Sequence, residues 1–166
     1  MNYNTPTTGF YGSQSMYFGN NGTKVGNVKG GTDETSYIGG KWNTQKCLHA
    51  CTKENKDLTN GVTDNSGTGY CAPACCCVAY STPGTKPGDW YLPMPGELYQ
   101  IYANKEAINK KRKDIKKGSG FYDISYWSSR ERSSKFEYGV RFNTSDVYGS
   151  GKGNDCAVLG FLALEV

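Results

Sequence analysis

The sequence predicts an α+β domain, two helices packed on a small, mostly antiparallel, twisted sheet with long loops. Two stretches, 44–54 and 95–113, place apolar residues three and four apart, the spacing of one helix face. From Phe121 onward, short apolar runs alternate with polar turns, the signature of strands. Helices gathered ahead of a β region, rather than interleaved with strands, make an α+β pattern. The 166 residues suffice for one domain with a real core, and 22 glycines with 13 tyrosines suit short strands, many turns and a tyrosine-rich surface.

Residues 1–35 are rich in Gly, Asn, Thr and Ser, and read as a lead-in of loop and short strand, a linker end or an oligomerisation segment. The domain proper is then expected at 36–166. Tyr37-Ile38 before Gly39-Gly40 reads as a short strand ending in a turn, and Thr44 as the cap of a helix reaching Glu54. Cys47, Leu48 and Cys51 fall on that helix's inner face. Turn residues fill 57–69, and Tyr70 to Tyr80 reads as extended. Trp90 to Pro93 reads as a strand end, and Pro95 suits the first position of a helix carrying Leu98, Ile101, Tyr102 and Ile108 to about residue 113. Strands are expected at Phe121–Ser128, Tyr138–Phe142 and Ala157–Leu164. The last, AVLGFLAL, is apolar on both faces and so is expected to be central and buried.

The net charge of +4 comes mostly from the lysines and Arg112 between Lys105 and Lys117. No aromatic residue interleaves that run, so it lacks a stacking platform for bases and reads as a solvated helix face; no nucleic-acid partner is expected. No apolar run is long enough to span a bilayer, so no membrane insertion is expected. The N-terminal residues lack the basic start and apolar centre of a secretory signal. Either the chain is made in the cytosol, as phage structural proteins are, or Met1 begins an excised piece.

Three motifs in order, GDWYLPMPGELYQIYANKEAIN at 88–109, YWSS at 126–129 and FLAL at 161–164, carry a family likeness. They resemble C-type lectin-like domains of the sulfatase-modifying-factor-like kind, and within that group the variable proteins of diversity-generating retroelements. The likeness covers roughly residues 36–166. It implies a lectin-like scaffold in which Trp90, Leu92, Pro93, Glu97, Leu98 and Trp127 are structural. Trp90 and Leu92 would plug the core beneath the helix that Pro95 begins. Glu97 would reach exposed amides at its first turn, and Trp127 would anchor the sheet. It also implies that the segment at about 127–160 carries diversified residues. Adenine-directed variation of an AAY codon reaches Arg, Ser, Phe, Tyr, Gly, Asn, Asp, Cys and Ala, but never Lys, Glu, Gln, Met or Trp. Glu131, Lys135, Glu137 and Lys152 are therefore expected to be fixed or templated otherwise, with Val140, Phe142 and Val147 as the apolar skeleton of a hairpin. The expected binding face is Arg130, Arg132, Phe136, Tyr138, Arg141, Asn143, Ser145, Tyr148, Ser150, Asn154 and Asp155. Arg and Tyr are usual interface anchors, and Ser and Asn adapt around them.

The implied function is a non-catalytic receptor-binding or adhesin domain on a phage tail or a bacterial cell surface, with no cofactor. Its partner would be a protein or glycan receptor on a cell surface, with homo-oligomerisation left open. A carbohydrate-binding module is the alternative, and a thiol- or zinc-containing enzyme a more distant one. Seven cysteines leave at least one thiol without a partner inside the chain. Cys47, Cys51, Cys71 and Cys75 are a thinkable zinc set, although C-x3-C is not the usual ribbon spacing. A disulfide or buried free thiols are the other readings. His49 is the sole histidine, two residues round the helix from Cys47 and so on the opposite side. GSGKG at 149–153 fails as a phosphate loop, since Asp146 and Gly153 hold its required Gly and Ser/Thr positions. No calcium-type sugar-binding tripeptide is present.

Overall fold

A computed structural model describes residues 15–31, 39–54, 71–114 and 120–162, and of residues 51–54 the backbone alone. The strand expected at Tyr37-Ile38, the turns at 57–69 and the last residues of the expected final strand lie outside these. The described elements run β1 (Ser15–Tyr17), α1 (Gly40–Glu54), α2 (Ala72–Ala79), β2 (Trp90–Tyr91), α3 (Pro95–Ala103), α4 (Lys105–Asp114), β3 (Ser125–Glu131), β4 (Phe136–Arg141), β5 (Val147–Gly151), β6 (Asp155–Ala157) and β7 (Phe161–Leu162). This is an α+β domain with a mostly antiparallel sheet. A five-stranded sheet has the order β1-β6-β3-β4-β5, and β2 pairs with β7 in a second, small sheet. Among the described residues only the contact of β3 with β6, at Tyr126 opposite Ala157, is parallel.

Strand alternation divides the core in two. Tyr126 and Trp127 are neighbours in β3, both fully buried, and point to opposite faces. Trp127 joins Phe18, Cys47, Leu92, Cys77 and Val158 beneath α1 and α2. Its ring meets Phe18 edge-on at 5.4 Å, and its Nε1–H donates to the Met16 carbonyl at 2.7 Å. Tyr126 instead joins Val140, Phe142, Ala157 and Leu98 of α3. Trp127 thus anchors the sheet as expected. The hairpin skeleton also stands, with Val140 opposite Val147 and Phe142 buried.

Glu97 does at α3 what its position suggests. Its Oε2 accepts the Met94 amide at 2.6 Å and its Oε1 the Tyr91 hydroxyl at 2.6 Å, closing the helix start where backbone donors lack partners. Gly40, the first residue of α1, approaches this carboxylate so closely that a Cβ there would strike Glu97 and the Tyr91 ring. Pro93, buried, offers its carbonyl to the Ser129 amide at 2.7 Å.

Several expectations are corrected. Four helices, not two, are present among the described residues. The stretch expected to be extended before Tyr80 contains α2, started by Pro73 in its first turn. Because α2 is apolar nearly all round and buried, its sequence shows no helical period. The long helix at 95–113 is broken at Asn104, which leaves helical geometry (φ −105°) and turns its side-chain amide onto the Gln100 carbonyl. Thr44 is not a cap but a residue of the second turn of α1. Its hydroxyl donates to the Gly40 carbonyl at 2.8 Å and accepts the Leu92 amide at 3.0 Å, tying helix to chain.

Leu92 packs under α1 and α2 rather than beneath α3, and Trp90 is half-buried against Tyr80, with its Nε1–H on Thr85. The run AVLGFLAL is not one central strand. It ends β6, leaves the sheet through Val158–Gly160 and enters β7 against β2, while β3 takes the central place. Finally, 15–31 is no appended lead-in: β1 edges the sheet, and Phe18 and Asn27 are fully buried.

Candidate binding surface

The register of three strands decides which side chains can act together. Glu131 lies opposite Glu137, and Glu137 opposite Ser150, so these three share one face of the sheet. By alternation Phe136 and Tyr138 share the other, and Arg132 lies beside Tyr138 there. A tight turn after β3 sets this register, with the Arg132 and Ser133 amides on the Phe136 carbonyl and the Ser133 hydroxyl accepting the Phe136 amide. Across the hairpin, Tyr138 and Phe136 face Gly149 and Gly151, which leave a shelf without side chains. The Arg132 side chain lies on that shelf, where a Cβ on Gly149 would collide with it, and its guanidinium sits 6.0 Å from the Tyr138 ring. Arg132 is exposed and Phe136 is 43% exposed. α3 covers this face at Val140 and Phe142, and the end bearing Phe136 and Arg132 extends beyond it.

The opposite face at this end is sealed by residues 18–27. Glu131 Oε1 and Oε2 accept the backbone amides of Val25 and Gly26 at 2.8 and 2.9 Å. Lys152 Nζ donates to Glu131 Oε1 at 2.8 Å and to the Thr23 carbonyl at 3.1 Å, and lies 3.9 Å from Glu137 Oε2. Asn27 bridges the Ser129 carbonyl and Glu137 Oε1 with one amide group. Asn27, Glu137 and Lys152 are wholly buried and Glu131 is 3% exposed. One ammonium cannot neutralise two carboxylates out of reach of water, so burial pushes the Glu137 carboxyl well above the usual range, against the pull of Lys152 and Asn27. The cluster is a clasp, fastening segment 18–27 to the sheet and leaving the far face free.

The eleven expected binding residues therefore do not form one surface. Tyr148 lies opposite Gly139, one step out of phase with Tyr138, and projects from the face that carries Glu137. Its ring rests over Gly139, with the Arg141 guanidinium 3.9 Å away and the Cys156 thiol 3.6 Å from its hydroxyl. Asn143 and Ser145 occupy the turn after β4, Ser145 at φ 65°. Asn154 and Asp155 are exposed beside β6, Asp155 opposite Tyr17. Ser150 is removed from the set: at 3% exposure it lies inward beside Cys156. Arg130 is half-buried, its guanidinium donating to the Val28 carbonyl. Odd-and-even counting along β4 and β5 would have separated these groups in the sequence. Asn27 carried no signal there, because its partners lie more than 100 residues away.

The thiols form no open site among the described residues. Cys47, Cys71, Cys75 and Cys77 are buried in the core, and Cys76 is half-buried. Burial pushes the Cys76 thiol up to about 11 and Cys77 well above its ordinary value, so both are held as thiols rather than nucleophilic thiolates. No three His, Cys, Asp or Glu side chains among the described residues are placed to hold a metal ion; the side chain of Cys51, in the expected zinc set, lies outside them. No described helix is long and apolar enough to cross a membrane. No family model matches the chain, and no curated protein matches it.

Proposed function

We propose that the chain is a non-catalytic, ligand-binding domain of C-type lectin-like architecture, a receptor-binding or adhesin domain of a phage tail or bacterial surface. It would present a diversified C-terminal surface, as retroelement-diversified variable proteins do. One observation carries the reading. Of the five residues in 127–160 that AAY-codon variation cannot produce, Trp127 is buried in the core, Glu131, Glu137 and Lys152 are buried together in the clasp, and Lys135 is exposed at the turn. Arg132, Phe136 and Tyr138, all of permitted types, project from the opposite face. Side chains that hold the frame and side chains free to change are thus separated by strand parity. Exposed Phe and Arg with a half-buried Tyr bind by aromatic burial and directed hydrogen bonds, with no covalent step.

A surface-displayed library tests this. Randomising Arg132, Phe136 and Tyr138 should leave protease resistance intact and yield binders to an unrelated target protein. Randomising Glu131, Glu137 and Lys152 should abolish the folded signal. Equal folding of the two libraries, or collapse of the first, contradicts the proposal.

A further inference from the structure

We infer that the binding surface continues beyond the C-terminal segment onto a strip of Val28, Lys29, Trp42 and Lys46, and that it receives an acidic polypeptide surface. The inference rests on the reading of the Arg132–Phe136 face as a binding face. Continuity comes from three contacts. The Arg130 guanidinium donates to the Val28 carbonyl, which joins the strip to β3. Asn43 grips Lys29 from both sides, accepting its amide at 2.9 Å and donating to its carbonyl at 3.1 Å, which joins the strip to the first turn of α1. On that turn Trp42 is flanked by Lys29 Nζ at 5.9 Å and Lys46 Nζ at 5.0 Å from its ring centre.

Five large apolar side chains are strongly exposed among the described residues; two of them, Val28 (47%) and Trp42 (38%), lie on this strip, and a third, Phe136 (43%), is on the binding face. The cations Lys29 and Lys46 flank Trp42, Arg130 reaches the Val28 carbonyl, and Arg132 lies beside Tyr138 on the binding face. No described acid is exposed there. Glu131 and Glu137, the acids of the strands beneath, are turned into the clasp, Asp123 pairs with Lys105, and Asp146 lies by Arg141. Aromatic and aliphatic groups interspersed with the exposed cations Lys29, Lys46 and Arg132 fit a partner that is partly apolar and negatively charged, which a polypeptide supplies. A sulfated or carboxylated sugar chain would leave Val28 with nothing to bury against.

Poly-L-glutamate and heparin, each measured against the whole chain by biolayer interferometry over a salt series, provide the test. Poly-L-glutamate should bind, and K29E/K46E and R132E/F136A should each weaken it by about tenfold or more. The α4 reversal K110E/K111E should leave it within about twofold. If R132E/F136A weakens binding and K29E/K46E does not, the extension falls while the binding face stands. The converse removes the binding face itself. Binding of heparin without poly-L-glutamate, or loss confined to the α4 variant, overturns the inference. Circular dichroism melts of each variant, expected to match the parent, exclude misfolding as the cause.

Discussion

Lys152 Nζ lies 2.8 Å from Glu131 Oε1, and the two side chains are 0% and 1% exposed. A buried pair of this kind adds little net stability over an apolar pair, because both charges lose their water. Breaking it is another matter, since the Glu131 carboxylate would be left buried without an opposing charge. Lys152→Met should cost about 3–5 kcal/mol in urea unfolding. A loss below about 1 kcal/mol would show that the clasp is hydrated or open.

Glu137 gives the clasp a pH dependence of definite sign. Its carboxyl is raised well above the ordinary glutamate value by burial, so the folded state holds a proton that the unfolded chain releases. Its contribution is whole below the unfolded value and is lost as pH rises toward the folded one. Glu137→Gln removes this titration. The variant should gain on the parent in urea midpoint as pH is raised from 5 to 8, and a gap that stays constant or widens against it would contradict the assignment.

Parity along the hairpin separates two aromatic residues that look alike in sequence. Phe136 is exposed and touches little, so Phe136→Ala should shift stability by no more than about 0.5 kcal/mol. Tyr148 lies across Gly139, sandwiched by the Arg141 guanidinium, and Tyr148→Ala should cost about 2 kcal/mol from ring burial and cation–π contact together. Thermal melts of the two variants that coincide would place both residues on the same face.

Gly40 tests the junction of α1 with α3. Ala at this position would drive its Cβ into Glu97 and the Tyr91 ring, both held by the hydrogen bonds that start α3. Gly40→Ala should destabilise by about 1–3 kcal/mol although Ala favours helices. A stabilised Gly40→Ala would mean that the two helix starts do not meet.

The legible parts of the fold were those with local causes. Pro95 and Glu97 announce α3, and the alternation of Val140, Phe142 and Val147 announces the hairpin. α2 was hidden because a helix that is apolar all round has no polar face to mark its period, and Cys75 and Cys77 fit a strand equally well. Asn104 breaks a helix whose apolar spacing continues unbroken past it. At the site, the residue types were readable but their sides were not, because one residue of phase separates Tyr138 from Tyr148. The clasp was half visible: Glu131, Glu137 and Lys152 stood out as residues that variation cannot reach, while their partner Asn27 sits in a segment that reads as loop.

The most direct measurement is the sequence of the encoding locus and its sibling isolates over codons 127–160. The account predicts a nearby near-copy that differs where it carries adenine, with substitutions at Arg132, Phe136 and Tyr138 and none at Glu131, Glu137 or Lys152. Variation spread evenly over both groups, or confined to the clasp, would contradict it.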